Sequence, residues 1–179
     1  LVGSEMCIRD RYSSAGGLAQ DTQCSSCPAG SACSTGSTSA SACSPGTYQS
    51  SGGQSTCDEC DAGAFKAASG VGTCSQGTAG NYCPAGSSAE LPCPGGRYSD
   101  AGGLGQDTQC TECPAGSWCS AGVAIPCAIG TWSNSTGLFY EGGCQLCPLH
   151  SSTVGSNQIS ADACVCEAGR YADDRGGDL

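Results

Sequence analysis

Apolar and polar residues follow one another in this chain with no sustained rhythm. No segment keeps the 3.6-residue apolar period of an amphipathic helix; apolar residues come singly or in pairs between glycine-rich turns. Short runs such as 47–50 and 131–133, framed by such turns, predict two-stranded hairpins with irregular loops. The stretch 61–68 predicts a single helical turn. The Gly- and Ser-rich stretches 34–42, 75–80 and 151–156 read as linkers or loop tips, the second as a joint between modules.

Composition changes the picture, because elements this small need something other than oil to hold them. Of 179 residues only 19 are Val, Ile, Leu or Phe, while 18 are Cys and 29 are Gly. So few large apolar residues, with a net charge of −10, would suit a disordered chain. Cysteine at one residue in ten argues for covalent staples instead. Eighteen thiols are a liability in a reducing cytosol and a scaffold outside it, so the chain reads as extracellular or cell-surface, a product of the secretory pathway. Six Lys and Arg residues form no basic stripe, which leaves nucleic acid without an electrostatic footprint. No run approaches the ~18 apolar residues of a membrane span, and no secretory leader opens the chain, so no membrane insertion is expected within it and it reads as a fragment.

Internal repetition sets the organisation. Residues 11–33, RYSSAGGLAQDTQCSSCPAGSAC, match residues 97–119, RYSDAGGLGQDTQCTECPAGSWC, at 18 of 23 positions with an offset of 86. A looser pair aligns Cys43-SPGTYQSSGGQST-Cys57-DE-Cys60 with Cys127-AIGTWSNSTGLFYEGG-Cys144-QL-Cys147. The predicted domains are therefore 12–92, a first pair of cysteine-rich modules, and 93–179, a duplicate second pair truncated at its C-terminus. Residues 1–11, LVGSEMCIRDR, hold the only Met and two of the six basic residues, and are set aside as a non-native or linker segment. Cys7 nevertheless lies 17 residues before Cys24, as Cys93 lies before Cys110.

Beneath the long repeat runs a shorter word, C-x-x-G, at Cys27, Cys43, Cys60, Cys83, Cys93, Cys113, Cys127 and Cys166, usually with an aromatic two residues after the glycine. A glycine there can take positive φ and reverse the chain just past a bridged cysteine, and the aromatic can stack on a disulfide or on the next module. Four C-x-x-C pairs (Cys24/Cys27, Cys57/Cys60, Cys110/Cys113, Cys144/Cys147) punctuate the modules. Near-constant spacing to the preceding cysteine predicts hairpin staples joining Cys43 to Cys57, Cys93 to Cys110 and Cys127 to Cys144. The second cysteine of a pair then closes forward, Cys60 to Cys74 and Cys147 to Cys164. Spacing does not make the connectivity unique. Cys83 finds no partner in this scheme, and Cys166 opens a module within which the chain stops. The fold class expected is small disulfide-rich modules in tandem, elongated, with short β-hairpins, irregular loops and little helix.

The combined pattern C-x-x-G-[TR]-[YW]…C-x-x-C-P-x-G-x-x-C resembles the ephrin-receptor-like, EGF-like cysteine-rich repeats that occur in tandem in extracellular proteins. Residues 144–171, CQLCPLHSSTVGSNQISADACVCEAGRY, carry the fullest match, and the resemblance runs from about residue 12 to 179. The sequence departs from the pattern at His150, which stands where Gly or Asn is usual, and at Asp10, where glycine is expected after Cys7. The resemblance implies a rod of stapled modules in a secreted or surface-anchored protein with no catalysis of its own.

Other chemistries compete with that reading. Paired C-x-x-C knuckles about 30 residues apart suit a zinc tetrathiolate; two such sites would use eight cysteines and leave ten unexplained. A redox C-x-x-C needs a thioredoxin-like scaffold that is not visible. His150, the only histidine, would have to serve any Ser-His-Asp or Cys-His arrangement, and reads more simply as a solvated loop residue. Asp58, Glu59 and Asp61 cluster beside Cys57 and Cys60 and offer the oxygens a calcium ion prefers, without the full calcium-binding EGF pattern, and read as a solvated acidic loop; Asp173, Asp174 and Asp178 read as solvated. No catalytic residue, metal ligand or cofactor is assigned. Asn134-Ser135-Thr136 fits the N-glycosylation rule in a hairpin loop. Trp118, Trp132 and Tyr140, exposed between staples, are the candidate contacts for an extracellular protein or glycan partner, or alternatively cover disulfides. The function expected is a non-enzymatic structural spacer and interaction surface of a larger secreted or surface protein; the alternatives are a thiolate zinc protein and the stalk of a receptor or membrane-attached enzyme.

Overall fold

The computed structural model describes residues 7, 9–14 and 23–166. Nine two-stranded hairpins follow one another among them, each pairing consecutive strands. In chain order they are hairpin 1, β1 Arg11–Tyr12 with β2 Ser25–Ser26; hairpin 2, β3 Ser31–Ala32 with β4 Ser41–Ala42; and hairpin 3, β5 Thr47–Tyr48 with β6 Asp58–Glu59. Hairpin 4 pairs β7 Ala64–Phe65 with β8 Ser75–Gln76, hairpin 5 β9 Asn81–Tyr82 with β10 Leu91–Pro92, and hairpin 6 β11 Arg97–Tyr98 with β12 Thr111–Glu112. Hairpin 7 is β13 Ser117–Ser120 with β14 Val123–Pro126, hairpin 8 β15 Thr131–Trp132 with β16 Gln145–Leu146, and hairpin 9 β17 Ser151–Thr153 with β18 Cys164–Cys166. The architecture is one of small disulfide-rich modules in tandem with little helix.

One local rule generates the hairpins. Each opens at a residue whose third successor has positive φ: Asp10, Gly30, Gly46, Gly63, Gly80, Gly96, Gly116, Gly130 and His150, with φ from 63° to 91°. The residue after the turn donates its N–H three places back, as Thr47 does to the Ser44 carbonyl at 3.0 Å and Thr131 to Ala128 at 3.0 Å. Positive φ at the third position of such a four-residue turn is the type II signature, which is why glycine fills seven of the nine sites. Asp10 and His150, the departures from the repeat pattern, occupy the same turn position in the left-handed conformation. His150 is thus half-buried in a turn rather than a solvated loop residue.

Backbone hydrogen bonds then stitch each hairpin to its successor. The opening residue donates to the preceding turn carbonyl, as Cys43 N–H does to Gly30 at 2.9 Å and Cys60 N–H to Gly46 at 2.9 Å. Its own carbonyl accepts from a loop residue of the following hairpin, Gly70 N–H for Cys43 and Gly86 N–H for Cys60, both at 2.8 Å. Isolated parallel bridges Phe65–Ser87, Tyr82–Leu104, Tyr98–Gly122 and Trp132–Gln158 continue the same stitching at the aromatic position.

The recurring unit is the single hairpin. Hairpins 1–4 and 6–9 are the two copies of the 86-residue repeat, with hairpin 5 between them. Arg11 and Arg97, 86 residues apart, donate to the equivalent carbonyls of Cys24 at 3.2 Å and Cys110 at 2.8 Å. The chain divides into two compact units, one of Leu1–Leu91 with Ala101–Gln106, the other of Pro92–Asp100 with Asp107–Leu179. In both, the buried apolar positions among the described residues are all cysteines.

Four elements differ from expectation. The helical turn expected over 61–68 is instead the turn at Gly63 followed by β7, because φ of 91° there breaks any helical run. Residues 75–80 are not a joint: Ser75–Gln76 is β8, and 77–80 is the opening turn of hairpin 5. Likewise 34–42 ends in β4, and 151–156 begins with β17 paired to β18. The helical elements with bounds among the described residues are 3₁₀ turns at Asp107–Gln109, Glu141–Gly143 and Ala161–Ala163, each directly before a bridged cysteine. In hairpins 6, 8 and 9 they account for the three extra residues of a 17-spaced bridge over a 14-spaced one.

Candidate functional site

Eight disulfides organise the described residues. The structure joins Cys43 to Cys57, Cys60 to Cys74, Cys93 to Cys110, Cys127 to Cys144 and Cys147 to Cys164, the pairs expected from spacing. It adds Cys7–Cys24, which places the N-terminal cysteine where Cys93 stands in the second repeat. Cys27–Cys33 and Cys113–Cys119 are bridges of a second kind, closed over six residues across the opening turn. In every C-x-x-C the first sulfur closes the hairpin behind and the second staples the hairpin ahead. These sulfurs are spent on one another, so the knuckle pairs supply no tetrathiolate.

Sequence reasoning missed a column of buried residues that lies six places after each opening residue: Ser13, Cys33, Gln49, Lys66, Cys83, Ser99, Cys119, Ser133 and Thr153. Every member is buried, and apart from Ser117 the column holds all the buried polar residues among those described. Where the residue is Cys33 or Cys119, it bonds back to the opening cysteine. At Gln49, Lys66, Ser133 and Thr153 the side chain bonds within its own hairpin loop. Lys66 donates its ammonium to the Ala68 carbonyl at 2.6 Å and the Gly70 carbonyl at 2.9 Å. Gln49 donates to the Thr56 carbonyl at 3.2 Å and the Asp58 carboxylate at 3.2 Å, while its own oxygen accepts from Ser51 N–H. Thr153 donates to the Gly155 carbonyl at 2.8 Å and accepts from Gly130 N–H at 2.9 Å; Ser133 accepts from Ser135 N–H. A buried donor must find an acceptor, and here the acceptors are the loop's own carbonyls and, for Gln49, the Asp58 carboxylate as well. Aligning the hairpins on the turn residue reveals the column; apolar periodicity cannot, because its members share position and not chemistry.

Two cysteines are unbridged, Cys83 buried and Cys166 exposed. Burial pushes the Cys83 thiol above its ordinary range, and the Glu90 carboxylate adds to the effect. The word C-x-x-G at Cys83 is not an opening turn: Cys83 is the sixth-place residue of hairpin 5, and Gly86 sits in the loop with φ of 73°, donating to Cys60. The word at Cys166 continues into residues that, with Asp173, Asp174 and Asp178, lie outside the described residues.

The remaining candidates fall as follows. Trp118 in β13 and Trp132 in β15 are half-buried rather than exposed, and the Trp132 backbone bridges to Gln158 in the next hairpin. Tyr140 is 51% exposed and its ring lies 4.9 Å from that of Phe139, itself 62% exposed. Asn134 is exposed in the hairpin 8 loop. Of the three clustered acids, Asp58 is engaged by Gln49, and no group of three potential metal-ligating side chains occurs among the described residues. Large exposed apolar residues concentrate in one part of the chain: all but Val71 and Leu91 lie within residues 123–165.

Fold and bridges together define a disulfide-rich domain of the extracellular type, and eight disulfides point to an oxidising environment. No protein-family model matches the chain, and no curated protein matches it. No helix among the described residues is long and apolar enough to cross a membrane.

Proposed function

We propose that this chain is a non-enzymatic region of a larger secreted or cell-surface protein, acting as a structural spacer and as a surface for a protein or glycan partner. The observation that carries the reading is the use of the interior. Apart from the unbridged Cys83, the buried cysteines are all bridged, and the buried Gln49, Lys66 and Thr153 are occupied with hydrogen bonds in their own loops, an investment in mechanical integrity rather than in a reactive cleft. The apolar surface of residues 123–165, with the Phe139–Tyr140 pair, supplies the contact surface. The same residues would serve equally as the stalk of a receptor or of a membrane-attached enzyme. Resemblance to ephrin-receptor-like and EGF-like repeats supports the extracellular placement.

Thiol titration in denaturant, with metal analysis of the same sample, tests the proposal. Material from an oxidising host is expected to show two titratable thiols, Cys83 and Cys166, before reduction and eighteen after. Many thiols before reduction together with stoichiometric zinc would replace the spacer reading with a metal-thiolate one. In parallel, Tyr140→Ser with Phe139→Ser is expected to leave the thermal midpoint of the oxidised chain unchanged. A large drop would assign that pair to packing instead of to a partner.

A further inference from the structure

Hairpins 2, 5 and 7 share a frame that the other six do not: Cys27-Pro-Ala-Gly-Ser-Ala-Cys33, Gly77-Thr-Ala-Gly-Asn-Tyr-Cys83 and Cys113-Pro-Ala-Gly-Ser-Trp-Cys119. Backbone bonding makes the three equivalent. Cys27, Gly77 and Cys113 donate to Asp10, Gly63 and Gly96 at 2.9, 2.9 and 2.8 Å, and accept from Gly53, Gly103 and Gly137 at 2.7, 2.8 and 2.8 Å. Cys33, Cys83 and Cys119 donate to Gln54, Leu104 and Leu138 at 2.9, 2.8 and 2.8 Å. In hairpins 2 and 7 the frame closes with a disulfide over six residues. In hairpin 5 one sulfur is missing.

The geometry at Gly77 is that of a half-made bridge. A Cβ built on Gly77 would lie 3.0 Å from the Cys83 Sγ, with the Gly63 carbonyl oxygen at 3.4 Å and a Glu90 carboxylate oxygen at 3.7 Å as the next neighbours. In a disulfide, S–S and C–S bond lengths and the angle at sulfur place each Cβ about 3.0 Å from the partner sulfur. That separation is too short for carbon and sulfur that merely touch. Gly77 also lacks the positive φ of the turn glycines, so its backbone accepts a side chain. Hairpin 5 keeps only non-covalent closure, including the hydrogen bond from Thr78 N–H to the Glu90 carboxylate.

We infer that hairpin 5 is a six-residue-bridged hairpin lacking one half of its bridge, with Gly77 at the vacated position, and that this unstapled hairpin opens before hairpins 2 and 7 when the protein is stressed. Opening exposes the otherwise buried Cys83 thiol. The inference stands independently of the spacer reading.

The experiment compares the wild-type chain with Gly77→Cys and Gly77→Ala, all oxidised, by thiol counting in denaturant and by amide exchange resolved to single hairpins. In the wild type, exchange in hairpin 5 is expected to be on the order of 30-fold faster than in hairpins 2 and 7, the factor a short-loop disulfide confers. Gly77→Cys is expected to leave Cys166 as the one titratable thiol and to slow hairpin 5 to the level of the other two. Gly77→Ala, which puts a carbon against the sulfur without bonding to it, is expected to speed exchange further, so the two variants shift hairpin 5 in opposite directions. Three free thiols in Gly77→Cys would overturn the missing-half assignment. Equal wild-type exchange in hairpins 2, 5 and 7 would overturn the order of opening, a result read without any variant.

Discussion

Replacing Gly63 and Gly70 by alanine, one at a time, separates the cost of a backbone conformation from the cost of a contact between hairpins. Both residues are left-handed, Gly63 with φ of 91° and Gly70 with φ of 81°. An alanine at either incurs about 1–2 kcal/mol for placing an L side chain in that region. They differ in what the new methyl meets. At Gly70 nothing lies within 4 Å, whereas at Gly63 it would fall 2.9 Å from the Gly103 carbonyl carbon, with the carbonyl oxygen closer still. Backbone cannot swing aside as a side chain can, so the hairpin 6 loop must move, at a typical overpacking cost of about 1–3 kcal/mol. The bonds at risk are Gly63 N–H to Cys83 at 2.7 Å and Gly103 N–H to Gly77 at 2.8 Å. Gly70→Ala is therefore expected to cost about 1 kcal/mol and Gly63→Ala about 3 kcal/mol. The ~2 kcal/mol difference corresponds to roughly 30-fold in local opening. Urea unfolding without reductant gives the totals, and exchange of the residue 63 and Gly103 amides, the donors of those two bonds, locates the difference. Equal costs within about 0.5 kcal/mol would mean that the close approach of turn and loop does not hold the hairpins together.

Lys66→Met keeps the buried stem but removes the donors that hold the Ala68 and Gly70 carbonyls; about 2 kcal/mol of local stability should go with them. Faster exchange in the 67–73 loop, with hairpins 1 and 2 unchanged, is the expected signature, and an undisturbed loop would show the ammonium to be a passenger. The raised Cys83 thiol gives stability a pH dependence of determined sign. Below the ordinary thiol value of 9.0 the group is protonated folded or unfolded and contributes no slope; as pH rises beyond it the unfolded chain ionises first, and stability falls. Thermal midpoints at pH 8 and pH 10 should therefore diverge more for the wild type than for Cys83→Ala, and parallel curves would refute the shift. Expression in a eukaryotic secretory host is expected to add a glycan that Asn134→Gln abolishes; an unmodified wild-type mass would leave the exposed sequon a bare loop.

The sequence by itself determined the hairpins and their long staples, each settled within about twenty residues, though not the six-residue bridges Cys27–Cys33 and Cys113–Cys119. Turn chemistry at C-x-x-G depends on one glycine and its neighbours, and a bridge over 14 or 17 residues follows from where a two-residue-stranded hairpin returns, so hairpins and long staples were legible from Cys43 to Cys164. Tertiary structure decided what depends on the register of one hairpin against the next. That register gives one word two meanings, a turn at Cys60 and a loop at Cys83, and lets Asp10 and His150 stand in for glycine. It also buries Lys66 and Cys33 at equivalent positions, one held by carbonyls and the other by sulfur. A residue's place in such a column is fixed by backbone hydrogen bonds to the neighbouring hairpin, which act on position and are indifferent to side-chain type. Patterns of apolar and polar residues therefore carry no trace of it.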